Sequence, residues 1–460
     1  MRLPFLGRER EIARLIRAFG SGEETLVVLV GRRRVGKSRL LTEALAGLPA
    51  VYVVGDEQDA PLHRAAVARE MAALVRGFDA VLYPTWDALL DRWWSAAPAG
   101  AVLALDEFQA FASASPELPS VLQRWIDRRA SPARHVALCG SSQRMMSGLV
   151  LDASAPLYGR AREILRLGPL EVEYLPTALG ASSPLATASA WATWGGIPRY
   201  WELAADFTDP WAAVADLVLD PSGVLHHEPR RLLLDDLRET ARAASILALV
   251  GQGCGRMSEI ARRLGQPATS LTRPLARLQD LGLLRREVPW GADPRSAKQS
   301  LYGIADPFLA FWYRFVDPAR SRLAAGQVEG VLAEVRAHWP TFLGGAWEAL
   351  ARDAVARRAL VGESWLPAGR WWGAGLDRKP LELDLVARHA TDPGRVLVGE
   401  AKVHATPAEV PRLLADLADR AARCPALRGI ATDLRLFVLD GVSAGTEGVV
   451  AGGEVVEMAE

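Results

Sequence analysis

The stretch TLVVLVGRRRVGKSRLLTEAL, residues 25–45, leaves little freedom. A run of apolar residues reads as a buried strand, Gly31 to Ser38 follow G-x-x-x-x-G-K-S, and helix formers come next. A loop between such a strand and helix turns its backbone N–H groups on a phosphate. Gly31, Arg32, Arg33, Arg34, Val35, Gly36, Lys37, Ser38 and Arg39 would then surround a nucleotide's phosphates. Lys37 would reach the outer ones, and Ser38 would help hold Mg²⁺. The expected ligands are ATP and Mg²⁺.

Further apolar runs supply the sheet. AVYVVGD at 50–56 reads as a second strand, and AVLALDEF runs into Asp106 and Glu107. A buried strand ending in two acids puts them at the carboxyl edge, where ligands of α/β sheets sit. Asp106 would coordinate Mg²⁺ and Glu107 would polarise the attacking water. HVALCGSS ends in Ser141 and Ser142, either of which could meet the γ-phosphate or the water. Arg160 and Arg162 in PLYGRAREILRLGPL precede another strand; Arg160 could stabilise transferring charge in its own chain or a neighbouring one.

The bulk properties exclude more than they assign. Lys plus Arg and Asp plus Glu each number 54, so no global field advertises nucleic acid or membrane. The three cysteines are far apart, which argues for a reducing compartment and against a disulfide framework or zinc site. No apolar run approaches the roughly 20 residues of a membrane helix, and MRLPFLGRERE has no signal-peptide core. A cytoplasmic protein is expected.

MSEIARRLGQPATSLTRPLARLQDLGLLRRE, 257–287, carries a second pattern. Ile260, Ala261 and Leu264 mark one short helix; Leu271, Leu275, Leu278 and Leu281 mark the next, after a turn at Gly265. LLRREVP and SLYGIAD can pair as a wing, giving a winged helix-turn-helix whose second helix enters a DNA groove. Arg273, Arg277, Arg285 and Arg286 are its candidate phosphate contacts. Pro274 requires a first-turn position. Winged helices beside such ATPases also serve as lids or protein-docking surfaces.

Only four lysines occur, Lys37, Lys298, Lys379 and Lys402. Arginine otherwise carries the positive charge, so a lysine marks a place where a compact amine is needed. Lys402 lies in RVLVGEAKV, a strand-like run after GRWWGAG and PLELDLVAR. Alternation puts Glu382 with Asp384, and Glu400 with Lys402. Pairing the two strands gathers Asp384, Glu400 and Lys402. Two carboxylates can hold Mg²⁺ there, and the amine can orient a water for attack on a phosphodiester. Glu348 lies on the preceding helix.

FLGRERE, GRRRVGKSRL, LALDEFQ, CGSSQRMM, YGRARE and WGGIPRYW together resemble the archaeal-type ATPases of the AAA+/STAND group. The resemblance implies ATP binding, slow hydrolysis and a conformational switch. It places Gly7 and Arg8 near the adenine, and Pro198 and Arg199 on a helical lid facing the nucleotide. Asp384, fifteen residues, then Glu400-Ala401-Lys402 resembles a PD-(D/E)xK nuclease core, although LELD stands where a proline usually precedes the acid.

The expected architecture is multidomain α/β: a P-loop NTPase parallel sheet over 1–185, helical lid 186–240, winged helix 241–305, helical linker 306–339 and restriction-nuclease-like α/β domain 340–460. The expected function is an ATP-hydrolysing switch that binds DNA and carries a Mg²⁺-dependent nuclease-like domain. The alternatives are an ATP-gated regulatory factor with a non-catalytic nuclease fold, and an ATP-dependent scaffold. Nucleotide, DNA and a second copy or partner protein are the expected partners.

Overall fold

Five apolar strands form the first layer of the computed structural model, which describes residues 3–128, 132–237, 239–295, 299–357 and 363–457. These are β1 (Thr25–Gly31), β2 (Ala50–Val54), β3 (Val102–Asp106), β4 (His135–Gly140) and β5 (Ala161–Leu167). All pairings are parallel, in the order β2-β3-β4-β1-β5. Every residue of β1, β3 and β4 is buried, as it must be when helices cover both faces of a parallel sheet. Val27 and Leu29 pack to one side, Leu26, Val28 and Val30 to the other. The shared direction brings the ends of β1, β3 and β4 to one edge.

Helices follow from 175 onward, including Pro184–Trp194, Pro198–Ala204 and Glu228–Asp236. Thr240–Gly251, Met257–Arg263 and Thr272–Asp280 then form a three-helix unit, closed by antiparallel β6 (Leu284–Glu287) and β7 (Leu301–Ile304). Pro274 falls in the first turn of its helix, where its missing N–H costs nothing. The wing's two strands pair within LLRREVP and SLYGIAD, as expected.

A second sheet has the order β12-β11-β10-β9-β8. It comprises β8 (Gly369–Ala374), β9 (Pro380–Arg388), β10 (Arg395–His404), β11 (Ala431–Asp440) and β12 (Val449–Ala451). β8, β9 and β10 are antiparallel neighbours; β10, β11 and β12 run parallel. The Val410–Arg423 helix makes the crossover that parallel β10 and β11 require. On the other face lies one 30-residue helix, Val328–Arg357, whose Trp347 Nε1 donates to Phe437 O at 2.9 Å. That helix runs unbroken past residue 340, with Pro340 inside it. One apolar cluster extends from Leu29 and Leu40 through Tyr200 and Phe308 to Trp347 and Phe437, joining both sheets.

Candidate functional site

The loop after β1 closes on glycine for a physical reason. Gly36 caps the Lys37–Leu45 helix at φ 96°, in left-handed space that glycine enters freely. Lys37 is buried, and its Nζ donates to Gly31 O at 2.8 Å and Arg32 O at 3.0 Å. Ser38 Oγ donates to Oδ2 of Asp106, at the end of β3 two strands away, at 2.6 Å. Asp106 also accepts from Tyr52 at 2.5 Å and from Glu107 N at 2.8 Å. Burial would raise the Asp106 carboxyl, but hydrogen bonds from Cys139, Ser38, Tyr52 and Glu107 N–H hold it below the usual value. Burial and the bond to Asp106 push the Tyr52 phenol upward, so it stays a donor.

Glu107 occupies left-handed space at φ 52°, strain that a non-glycine residue bears where surroundings impose it. Its carboxylate accepts from Ser141 Oγ at 2.8 Å and from Gln109 Nε2. Of the two serines, Ser141 joins the acid, whereas Ser142 Oγ accepts from Met145 N at 3.3 Å and starts a helix. Lys37, Ser38, Asp106, Glu107 and Ser141 therefore meet at one sheet edge.

Other expected contacts fall differently. Arg32 Nη1 meets Asp306 Oδ2 at 2.6 Å, and Arg34, at φ 68°, meets Glu228 Oε2 at 2.8 Å. Their guanidiniums thus pair with two carboxylates of later segments. Burial works against the Arg32 cation, but Asp306, Tyr200 and Glu228 raise its pKa above the usual value. Arg33 is exposed, and Arg39 Nη2 donates to Leu3 O at 2.8 Å. Arg8 braces the loop from outside, donating to Gly168 O at 2.6 Å and Val35 O at 3.5 Å. Gly7 lies against the Tyr174 ring, so close that a β-carbon would come within 2.5 Å. Pro198 opens its helix, and Arg199 is an exposed partner of Glu202 at 3.0 Å.

Arg160 is a correction. It precedes β5, whose Ala161 pairs with Leu26 at the start of β1, whereas the phosphate loop follows Gly31. At ~3.3 Å per residue the length of the strand separates them. Arg160 is instead held by Asp127 at 2.8 Å, and Arg162 by Glu23 at 3.2 Å, on the same amino edge. This geometry sets Arg160 apart from its own chain's phosphate loop and leaves the expectation of a role in a neighbouring chain as it was.

In the second sheet, register sets the cluster. Gly399 pairs with Leu385, which brings Asp384 beside Glu400. Asp384 Oδ2 accepts from Ala401 N at 3.0 Å. Glu400 holds Lys402 Nζ at 2.8 Å on one oxygen and Arg420 Nη2 at 2.7 Å on the other. Burial, and then the Glu400 charge, push the Asp384 carboxyl up to about 7. Glu348 stands nearby, raised chiefly by burial and paired with Arg352 at 3.7 Å. Glu400, Lys402, His404, Arg412 and Arg420 line an open cleft of about 460 Å³. Among the described residues no three His, Cys, Asp or Glu side chains converge as a metal cage. One or two carboxylates still suffice for Mg²⁺ when phosphates complete its shell, and the Asp106–Ser38 and Asp384–Glu400 pairs both fit that description. Glu382 is exposed and tied to Arg370. Lys298 lies outside the described residues, and Lys379 is an exposed turn residue.

The winged helix divides its arginines. Arg273 is exposed, and Arg277 is half-buried on the same helix. Arg285 bonds Glu287 at 2.9 Å and Ile304 O at 2.7 Å; Arg286 bonds Ser300 Oγ at 2.9 Å and Pro294 O at 2.7 Å. The wing also packs on the second sheet, Trp290 N donating to Arg370 O at 2.7 Å. Arg285 and Arg286 thus each bond within the wing, Arg285 from an exposed position.

Sequence reading missed Tyr52, Gln109, Glu228, Asp306 and Arg420. Only Tyr52 left a signal, as a polar-tipped aromatic in an apolar strand.

Comparisons with known proteins divide along these units. Residues 23–175 match the model of an AAA domain, and residues 240–288 that of the IclR helix-turn-helix domain. Residues 312–412 match a family described as "Archaea bacterial proteins of unknown function". An uncharacterized protein of Methanocaldococcus jannaschii is 25% identical over 393 residues, 84% of this chain and 85% of that protein. Among solved structures, a Walker-type ATPase of Pyrococcus abyssi superposes with a TM-score of 0.52 at 19% identity, covering 67% of this chain and 96% of its own. The fold is that of a parallel-sheet P-loop NTPase, followed by a helix-turn-helix and a separate C-terminal sheet.

Proposed function

We propose that this chain is an ATP-hydrolysing switch that engages DNA through its winged helix and carries a phosphodiester-cleaving site in its second sheet. The observation that carries the reading is the meeting of Lys37, Ser38, Asp106, Glu107 and Ser141 at one edge. Backbone N–H groups from Gly31 to Ser38 cradle the phosphates, and Lys37 exchanges its two carbonyl partners for phosphate oxygens. Asp106 and Ser38 would hold Mg²⁺, which would supply neutralisation of charge on the transferring phosphoryl group. Glu107 orients and polarises the water, with Ser141 and Gln109 fixing its carboxylate. Tyr52 and Cys139 keep Asp106 aimed once Ser38 turns away.

In the second sheet, Asp384 and Glu400 would hold the divalent cation that stabilises a cleaving phosphodiester. Lys402 would orient the water, and Arg420 and Arg412 would meet the backbone phosphates. The DNA contacts of the winged helix are assigned to Arg273 and Arg277. One observation favours a second reading, in which this fold docks without cutting: Glu400 already carries two cations, Lys402 and Arg420.

A purified full-length chain with Mg²⁺ or Mn²⁺ tests these assignments. Lys37→Ala should abolish ATP hydrolysis. Asp384→Ala and Lys402→Ala should each abolish DNA nicking and leave hydrolysis intact. Wild-type protein that never nicks supports the docking reading, and nicking that survives both changes sinks the C-terminal assignment.

A further inference from the structure

The phosphate loop is tied by its own side chains to segments far along the sequence. Lys37 Nζ holds the Arg32 carbonyl at 3.0 Å. The Arg32 guanidinium holds Asp306 at 2.6 Å, with side-chain exposures of 11% and 3%. Arg32 Nε and Nη2 have no hydrogen-bond partner among the described residues, so Asp306 is this cation's principal tie. Asp306 follows wing strand β7 directly, and its other oxygen caps the Pro307–Phe311 helix through Leu309 N at 2.9 Å. Two positions on, Arg34 meets buried Glu228 at 2.8 Å, which also accepts from Tyr200 OH at 3.1 Å. Tyr200 belongs to the Pro198–Ala204 helix.

We infer that Asp306 and Glu228 are positioning residues of the phosphate loop, through which phosphate occupancy is transmitted to the winged helix and the lid. The inference rests on the proposed nucleotide site and deepens it. When Lys37 turns to a phosphate it releases Arg32 O. The freed peptide carries the Arg32–Asp306 bridge, and Asp306 moves with the end of β7 and the start of the next helix. A buried pair of this kind resists stretching, because parting it strands two desolvated charges. Motion is therefore passed on and not absorbed. The Arg34–Glu228 pair does the same for the lid.

Asp306→Asn separates charge from architecture, since asparagine caps a helix as well as aspartate does. The experiment uses the full chain, a fluorescent ADP with Mg²⁺, and hydrogen exchange of residues 301–311. Wild type should bind the nucleotide and change exchange across that segment by about fivefold, the low end of typical coupling. Asp306→Asn should still bind, with affinity changed by a similar factor, and lose the exchange response. Glu228→Gln should lose it across 198–204 and keep it at 301–311. A response at 301–311 that survives in Asp306→Asn, or is missing in nucleotide-bound wild type, overturns the inference alone. Wild type that binds no nucleotide overturns the underlying reading and this inference with it. Should Asp306→Asn fail to fold, Arg32→Gln cuts the same bridge from the loop side and is judged by the same two outcomes.

Discussion

Tyr52 and Asp384 show what single side chains do to their neighbours. Tyr52 donates to Asp106 at 2.5 Å from an adjacent strand. A hydrogen bond to a charged group is worth ~1.5–3 kcal/mol. Tyr52→Phe should therefore raise the Mg²⁺ concentration for half-maximal ATP hydrolysis by roughly tenfold, read by titrating Mg²⁺ at fixed nucleotide. Asp384 has the opposite character. Burial and Glu400 raise its carboxyl to about 7, so the folded state keeps a proton that the unfolded chain gives up near 3.8. Its contribution to stability is full below pH 4 and is lost as pH rises through 7. Asp384→Asn should consequently raise Tm more at pH 8 than at pH 5, measured without divalent cations. The same titration makes cation uptake by Asp384 and Glu400 release a proton below pH 7, and binding should tighten as pH rises toward 7 and level off above it. Sequence reading reached Asp384, Glu400 and Lys402 because strand alternation and antiparallel pairing are local rules. It could not reach Arg420, which arrives from a crossover helix whose rotation the spacing does not set.

At the scale of elements, the winged helix makes the sharpest division. Arg273 and Arg277 stand on the helix that would enter a groove, and Arg285 and Arg286 spend their donors inside the wing. Removing one arginine–phosphate pair lowers the slope of log affinity against log salt by about one. Arg273→Ala and Arg277→Ala should each show that reduction on a duplex oligonucleotide. Arg285→Ala and Arg286→Ala should leave the slope alone and lower Tm instead. The helices here were legible from periodicity, since the spacing of Ile260 and Ala261, and of Leu275 and Leu278, marks the buried faces of both short helices. What the wing packs against was not, because Trp290 meets Arg370 across a sequence gap that no pattern spans. The long Val328–Arg357 helix makes a similar point. The expected boundary between 339 and 340 falls inside it, and packing on both sides carries the helix through Pro340.

For the whole molecule, one apolar cluster joins the two sheets, with Trp347 fully buried between the long helix and β11. A module folds independently only with a hydrophobic core of its own, and these two share one. Calorimetry should therefore show one main transition, and Mg²⁺-ADP should shift all of it upward by mass action. Trp347→Ala, costing ~3–5 kcal/mol as a buried aromatic truncation, should lower that one transition as a whole and leave the nucleotide-dependent shift in place. The order of motifs announced a chain of modules. It did not announce their fusion, because a residue's neighbours across an interface leave no periodic trace.

The Gly452–Val456 helix packs on the Pro184–Trp194 helix, so closely that a β-carbon on Gly452 would come within 2.9 Å of Pro184. Synthesis is directional, so the earlier helix must wait with that face bare while everything between is made. A newborn chain is thus vulnerable there until the later helix is made, and cutting the protein between the two helices would leave the earlier one permanently in that unfinished condition.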